Sequence, residues 1–282
     1  EGLGNQFLSH IREVEAIIHV VRCFEKSDIT HISSKIDPLH DIEIIQTELI
    51  LADLSSIEKQ MLSLKKKIRG NDPDLNKLYI LLEKFFHHLS TGEKASSLKN
   101  LNQEEKLILK NINLLTLKPQ LYVCNVSEED ILKGNELTNK LKQHFQNEET
   151  KIILISSLIE SEISILNSDD KTIFLKDLGL EETGLSKLIK SGYDLLNLIT
   201  FFTSGLKESK AWTLENGLTA PNAAGKIHSD FEKGFIRAET ISCKDFFDFN
   251  GEQGAKDAGK LRIEGSDYIV KDGDIFNFRF NV

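Results

Sequence analysis

Along the N-terminal part of the chain, the apolar residues change from a strand-like run to a helical spacing. Residues 16–24 (AIIHVVRCF) form a β-rich apolar run that predicts a buried strand, with the end of a helix before it. Between residues 42 and 68 the apolar positions recur at helical intervals, apart from a slip near Leu54. This spacing predicts a long amphipathic helix with a coiled-coil-like seam made of Ile42, Ile45, Leu49, Ala52, Leu54, Ile57, Met61, Leu64 and Ile68.

A second amphipathic segment follows and predicts a helical hairpin. The residues GNDP at 70–73 end the first helix, and Asp72 and Pro73 are typical of an N-cap and a first helical residue. A short third helix is predicted from Asn102, with Glu105 as its capping partner. We expect the two long helices to pack as an antiparallel pair, because the second carries its own apolar stripe of Leu75, Leu78, Leu82, Phe85 and Leu89.

After Pro119 the pattern predicts a strand–helix–strand unit. Strands are expected at 120–124 and 151–156, with a polar helix at 129–145 between them and a further helix at 182–198. The crossover is long enough for the two strands to pair in parallel. This part of the chain therefore predicts a parallel α/β sheet.

From Leu198 onward the chain has the pattern of a small α+β domain. Glycines punctuate the turns, and one helix is expected near 221–233. A mixed sheet is predicted from the short apolar runs at 198–203, 209–214, 235–243 and 274–280.

Composition excludes some classes of function. The hydrophobic fraction of 40% and charged fraction of 28% are ordinary for a globular protein. The formal net charge of -9 argues against broad coating of nucleic acid, and we expect no DNA partner. No apolar stretch of about 18 residues occurs, so we expect no membrane span. Cys23, Cys124 and Cys243 each lie in a run that predicts a strand and lack CxxC spacing, so we expect buried reduced thiols.

Polar residues follow both predicted parallel strands, where open α/β sheets bind their ligands. Asn125 and Glu128 follow the first strand, and the residues SSLIE at 156–160 end the second. An amide that donates and accepts, beside a carboxylate that only accepts, can read the edge of a planar base. The alternative is a helix cap, in which Asn125 or Ser127 starts the next helix and Glu128 is favourable at its N-terminus.

The sequence contains no phosphate-binding loop of the form G-x-x-x-x-G-K-[ST]. It begins EGLGN without a methionine, and we expect that an N-terminal piece is missing. His31 lies beyond the first strand, where a histidine can position a water molecule. The alternative is a partly exposed loop histidine.

The clearest basic run consists of Lys65, Lys66 and Lys67 with Arg69 beside it, at the predicted tip of the helical hairpin. Such a tip can dock on phosphate groups. The alternative is a solvated helix end whose lysines complement the helix dipole. The slip near Leu54 disfavours a long intermolecular coiled coil, so we expect a monomer.

Several segments resemble the YchF/Obg-like ATPase family. EGLGNQFLSHIREVEAIIHVVRCF is similar to the segment after that family's magnesium-sensing switch, and IDPLHDIEIIQTELILADL to the start of its helical insert. LLTLKPQLYVCNVSEED resembles the segment in which that family's chain returns from the helical insert, together with its base-recognition motif. AWTLENGLTAPNAAGKIHSDFEKGFIRAE and GEQGAKDAGKLRIEGSDYIVKDGDIFNFRFNV resemble its C-terminal TGS domain. The resemblance extends from Glu1 to Val282.

The resemblance implies the fold. It is an α/β fold with a P-loop NTPase-type parallel sheet, incomplete here, an antiparallel helical-hairpin insert and a C-terminal ubiquitin-like β-grasp (TGS) domain. The expected domains are a partial nucleotide-binding domain at 1–41 and 114–197, the coiled-coil insert at 42–113 and the TGS domain at 198–282.

The resemblance also implies a site. Family members resemble GTPases but prefer ATP, a preference linked to an NxxE motif where GTPases carry NKxD. The implied nucleotide-binding residues here are Asn125, Val126, Glu128, Ser156 and Ser157, and His31 is the implied water-positioning residue.

The implied ligands are ATP and Mg²⁺, and the family's magnesium ligands lie in a segment that would precede Glu1. We therefore expect a cytoplasmic, ribosome- or ribosomal-RNA-binding ATPase in the intact protein, and no activity from this chain alone. The alternative function is a non-enzymatic ribosome- or RNA-binding module made of the hairpin and the TGS domain. In both cases the expected partner-binding residues are Lys65, Lys66, Lys67 and Arg69.

Overall fold

The computed structural model describes residues 4–25, 36–68, 72–109, 111–146, 150–205 and 208–281. Within these ranges the chain forms two units, residues 1–192 and 193–282, each with its own sheet. The first sheet is parallel and the second is mixed, which confirms the predicted combination of a parallel α/β part and an α+β part. No described helix is long and apolar enough to span a membrane.

The parallel sheet has the order β1-β2-β3, formed by Ile17–Arg22, Gln120–Asn125 and Lys151–Ile155. A helix, α1 (Asn5–Glu13), precedes β1 as predicted. In the central strand only the two end residues retain some exposure. Because the strands are parallel, their carboxyl ends lie at one edge of the sheet, which is where the polar residues after β2 and β3 are found.

The helix after β2 begins later than predicted. The expected helix at 129–145 is α5, which spans only Glu136–His144. Gly134 has a φ of 72°, a left-handed conformation that breaks the helical path, and Asn135 then caps α5. Residues 126–135 are therefore a loop, although their acidic run resembles a helix N-terminus.

The two long helices are α2 (Pro38–Lys67) and α3 (Pro73–Ser90), and they pack against each other around a shared apolar cluster. Asp72 caps α3 as predicted, accepting hydrogen bonds from the N–H groups of Asp74 and Leu75 at 3.0 and 3.4 Å.

The apparent slip in the apolar pattern of α2 near Leu54 is not a break in the buried face of the helix. Ala52, assigned to the stripe, is only partly buried, whereas its neighbour Asp53 is fully buried. The buried stripe is continuous at helical spacing, and one of its positions is polar. It consists of Pro38, Ile42, Leu49, Ile50, Asp53, Ile57 and Leu64.

The return from α3 passes through a short helix, α4 (Gln103–Leu109), and two 3-10 turns at 95–97 and 115–117. Asn102 N donates to Glu105 Oε2 at 2.7 Å, and Glu105 N donates to Asn102 Oδ1 at 2.8 Å, which confirms the predicted capping pair. After β3 the first unit continues with α6 (Ser157–Ser164), α7 (Ser168–Asp177) and α8 (Gly184–Leu195).

The second unit has the strand order β5-β4-β8-β6-β7. Strands β4 and β8 pair in parallel and the other neighbours are antiparallel. Its core includes Phe201, Leu214 and Phe276. The strands are β4 (Leu198–Ser204), β5 (Ser209–Glu215), β6 (Phe235–Ser242), β7 (Arg262–Glu264) and β8 (Asp274–Phe280), and the helices are α9 (Ala220–Ile227), α10 (Ser229–Lys233), α11 (Cys243–Asp248) and α12 (Glu252–Asp257).

Two predictions for this unit need correction. The single helix expected at 221–233 is two helices, because His228 has an extended backbone with φ -159° and ψ 141°. Cys243 lies in the first turn of α11, after the end of β6, and is only partly buried. Cys23 and Cys124 are buried as expected, and all three cysteines are free.

Candidate functional site

The structure brings together the residues that follow β2 and β3. Asn125 Oδ1 accepts hydrogen bonds from Ser157 N and from Ser157 Oγ, both at 3.0 Å. Asn125 thus binds the first N–H group of α6, a group that has no partner within its own helix. The alternative that Asn125 or Ser127 caps the helix after β2 is wrong, since Asn135 caps α5.

Ser156 lies at the same edge with an unused hydroxyl. Its side chain is 1% exposed, and its Oγ has no hydrogen-bond partner among the described residues. A buried hydroxyl without a partner costs about 1–3 kcal/mol of stability. Because this oxygen is closed off from the surface, the residue supports the sheet edge from within.

Val126 and Glu128 occupy different environments. Val126 is 2% exposed in the core beside Tyr122, and its N–H donates to Ile155 O at 2.9 Å. Its side chain therefore anchors the loop and is not available to a ligand. Glu128 is exposed, in a turn where its carbonyl accepts from Ile131 N at 3.4 Å.

The carboxylate of Glu160, in helix α6, binds the start of helix α8. Glu160 accepts hydrogen bonds from Gly184 N at 2.7 Å and from Leu185 N at 3.2 Å. These are N–H groups of the first turn of α8, where a negative charge is also favoured by the helix dipole. Sequence reasoning noted the strand end at 156–160 but missed Gly184. The sequence signal for the start of α8 was Thr183 followed three residues later by Ser186. Ser186 N donates to Thr183 Oγ1 at 3.0 Å, which caps the helix.

The predicted tip of the hairpin is partly described. Lys65, Lys66 and Lys67 form the last turn of α2 and are exposed, and Lys65 Nζ lies 5.6 Å from the centre of the Tyr79 ring. Arg69 and His31 lie outside the described residues. Within the described ranges, no group of three or more His, Cys, Asp and Glu side chains could hold a metal ion.

Comparison with known proteins decides the family. The family described as YchF-GTPase_C, a protein of unknown function (DUF933), matches residues 198–281. A ribosome-binding ATPase YchF of Escherichia coli O157:H7 is 50% identical over 282 residues, which are 100% of this chain and 77% of that protein. The chain belongs to the YchF family. This confirms the resemblance found in the sequence.

Other YchF proteins agree with this assignment. The ribosome-binding ATPase YchF of Bacillus subtilis is 47% identical over 284 residues, covering 100% of this chain and 77% of its own. The solved structure of the Schizosaccharomyces pombe YchF GTPase matches this chain with a TM-score of 0.84 and 34% sequence identity. The match covers 99% of this chain and 75% of that one. The chain therefore has the fold of the corresponding part of that YchF GTPase. Two of these three relatives are named ATPases and the third a GTPase, so their names leave the base preference open.

Proposed function

We propose that the intact protein is a ribosome-associated switch that binds and hydrolyses ATP. The observation that carries this proposal is the contact of Asn125 with Ser157 at the carboxyl edge of the sheet, in a chain of the YchF family. That contact joins the two loops that would surround a nucleotide base. The protein would act in the cytoplasm, where ribosomes are found.

The domains are assigned on the same basis. Residues 1–41 and 114–197 would form part of the nucleotide-binding domain. Residues 42–113 would be the helical-hairpin insert, supported by the separate apolar cluster of α2 and α3. Residues 198–282 would be the TGS domain, supported by the second unit's own sheet and core.

We assign base recognition to the loop from Asn125 to Glu128. The exposed Glu128 carboxylate would accept a hydrogen bond from the amino group of adenine. Ser157, held by Asn125, would line the adjoining side. Ser156 would support this edge from beneath, because its side chain is as buried as that of Val126. Val126 would contribute through its backbone, because its side chain is buried.

ATP would bring Mg²⁺ as its counter-ion. The described residues fit the base end of ATP, since they offer the amide of Asn125, the exposed carboxylate of Glu128 and the hydroxyl of Ser157, but they contain no cluster that could hold the metal. We therefore place the magnesium ligands outside the described residues. His31, whose proposed role is to position water, also lies outside the described residues.

The second candidate is a non-enzymatic module that binds the ribosome or its RNA. The three exposed lysines at the end of α2 favour it, because clustered ammonium groups attract phosphates. In this alternative, Lys65, Lys66, Lys67 and Arg69 would carry the contact and no ATP turnover would be required. A monomer is expected in both cases.

Two adjacent glutamates allow a sharp test of base recognition. Glu128 and Glu129 are both exposed, and only Glu128 belongs to the NxxE motif. In the full-length polypeptide, Glu128→Ala should lower the affinity for ATP about tenfold and reduce the preference over GTP, as expected for the loss of one hydrogen bond to a charged group. Glu129→Ala should leave both affinities unchanged. Equal ATP and GTP affinities in the wild type, or identical behaviour of the two variants, would overturn the assignment.

A further inference from the structure

The loop that carries Glu128 is not held by helical structure, so other contacts must fix its shape. Val126 anchors its beginning, and backbone hydrogen bonds from Asp130 N to Ser127 O at 3.2 Å and from Gly134 N to Asp130 O at 2.7 Å fold it into turns. Such turns are weak by themselves, because loop backbone exposed to water exchanges its hydrogen bonds readily. The side chains that tie the loop to the sheet are therefore decisive.

Asn135 is the side chain that ties this loop to the end of β1. Its Nδ2 donates to Cys23 O at 2.7 Å and to Asp130 Oδ2 at 2.8 Å. Its Oδ1 accepts from Thr138 N at 3.1 Å. A single amide thus uses both of its donor hydrogens and its acceptor, and it connects a strand end, the loop and helix α5.

Asp130 continues this connection into the recognition motif. The same Oδ2 atom that accepts from Asn135 also accepts from Ser127 Oγ at 2.8 Å. Ser127 is the residue directly before Glu128. A continuous series of side-chain hydrogen bonds therefore runs from the Cys23 carbonyl through Asn135 and Asp130 to the NxxE segment.

The chemistry at position 135 is specific. The position needs two N–H donors toward Cys23 and Asp130 and one acceptor toward the helix. Aspartate would supply the acceptor, and it caps helices as well as asparagine does. It has no N–H donor, however, and it would place a second carboxylate against Asp130. The capping role and the loop-holding role of Asn135 can therefore be separated by one substitution.

We propose that Asn135, acting through Asp130, is a positioning residue that holds the Asn125–Glu128 segment in the geometry needed to distinguish adenine from guanine. The proposal rests on the proposed base recognition by that segment. Neither residue touches the base in this proposal. Both act by fixing the loop against the end of β1, so that Glu128 does not have to lose conformational freedom when the nucleotide binds.

The chain supplies a matched control. Asn167 caps α7 in the same manner, with its Oδ1 accepting from Asp169 N at 3.1 Å and its Nδ2 donating to Asp170 Oδ2 at 2.7 Å. Asn167→Asp therefore makes the same chemical change at another helix start, between α6 and α7, where no recognition loop is attached.

The test compares Asn135→Asp with Asn167→Asp in the full-length polypeptide, by titration with ATP and with GTP and by thermal unfolding. Asn135→Asp should lower the ATP affinity about tenfold and reduce the ratio of ATP to GTP affinity, while Asn167→Asp lowers only the melting temperature. An ATP affinity and an ATP to GTP ratio of Asn135→Asp equal to those of the wild type would show that Asn135 is only a helix cap, a role that aspartate preserves, and would overturn the proposal.

A second variant tests the part played by Asp130. In the double variant Asp130→Asn/Asn135→Asp, the amide and the carboxylate exchange places, so their mutual hydrogen bond is restored while the bond to Cys23 O is not. The ATP to GTP ratio should recover part of the way toward the wild-type value. A ratio that stays at the value of Asn135→Asp would exclude Asp130 as the connection. If Glu128→Ala also leaves the ATP to GTP ratio at the wild-type value, the proposed base recognition by Glu128 is wrong. That failure is thereby distinguished from a failure of the positioning by Asn135.

Discussion

The carboxylate of Asp53, in the middle of helix α2, accepts hydrogen bonds from the backbone N–H and the hydroxyl of Thr116, at 2.8 and 2.7 Å. It also accepts from Leu115 N at 2.8 Å, and Asp53 is fully buried. Thr116 Oγ1 in turn accepts from Ala95 N at 3.0 Å. Asp53 therefore joins α2 to both 3-10 turns of the return segment.

Replacing Asp53 should be costly for this reason. Asp53→Ala leaves three buried donors without a partner, and we expect the free energy of unfolding to fall by about 3–5 kcal/mol, as for one partner removed from a buried charged network. Glu58→Ala, an exposed carboxylate on the same helix, should change it by less than about 0.5 kcal/mol. Urea unfolding of both variants measures this, and equal values would show that the Asp53 contacts contribute nothing.

His19 should make the protein sensitive to acid. It lies on β1 with its ring centre 5.2 Å from that of Tyr122, and its Nε2 is buried without a partner among the described residues. Burial, with a smaller effect of the nearby Lys94, lowers the pKa of His19 from 6.5 to about 4. Since the unfolded chain binds this proton first, stability present above pH 6.5 is lost as the pH falls toward 4, by up to about 3 kcal/mol.

The corresponding measurement is urea unfolding of the wild type and of His19→Gln at pH 7 and near pH 4.5. The variant should lose less stability between the two pH values than the wild type. His10→Gln, at an exposed position on α1, serves as the control and should behave as the wild type does. An identical loss in all three proteins would remove His19 from the explanation.

Two glycines of helix α8 should respond in opposite directions to alanine. A Cβ at Gly184 would lie 2.9 Å from Ile155 Cγ1 and 3.0 Å from Glu160 Oε1, so Gly184→Ala should destabilise the protein by about 1–3 kcal/mol. A Cβ at Gly192 would meet nothing within 4 Å, and Gly192→Ala should stabilise it by about 0.5–1 kcal/mol through helix propensity. Thermal unfolding separates these outcomes, and a shift of the same sign in both would contradict the packing described at Gly184.

The lysines at the end of α2 should contribute to ribosome binding. Replacing Lys65, Lys66 and Lys67 by glutamate should weaken co-sedimentation of the full-length polypeptide with ribosomes, most clearly at low salt, where phosphate contacts are strongest. A control variant makes the same change in charge at exposed lysines away from the tip, namely Lys133, Lys142 and Lys176. Unchanged co-sedimentation of the tip variant, or equal loss in the control, would exclude the tip as the contact.

Local signals in the sequence predicted the starts of α3 and α4 well. Asp72 before Pro73, and Asn102 with Glu105, are capping patterns that depend on residues within one helical turn, and the structure has the expected hydrogen bonds. The strands of the parallel sheet were also predicted from their apolar runs, and β2 is buried on both faces as such a run indicates. The prediction that β1 is a buried strand was wrong, because Ile18 and Val20 on one of its faces are exposed.

Features that depend on distant residues were not predictable in this way. Asp53 interrupts the apolar pattern of α2, and only its three donors, more than sixty positions away along the chain, make its burial favourable. The late start of α5 depends on the backbone of Gly134 and on the bond from Asn135 to Cys23 O. At the candidate site, the sequence indicated Asn125 and Ser157 separately, but their contact requires the pairing of β2 with β3.

The most direct test of the proposed function is the rate of ATP hydrolysis by the full-length polypeptide with magnesium and potassium, measured with and without ribosomes. We predict measurable ATP turnover that exceeds GTP turnover and changes when ribosomes are added. Absence of ATP turnover under all these conditions, in protein that still co-sediments with ribosomes, would contradict the ATPase and favour the non-enzymatic binding module.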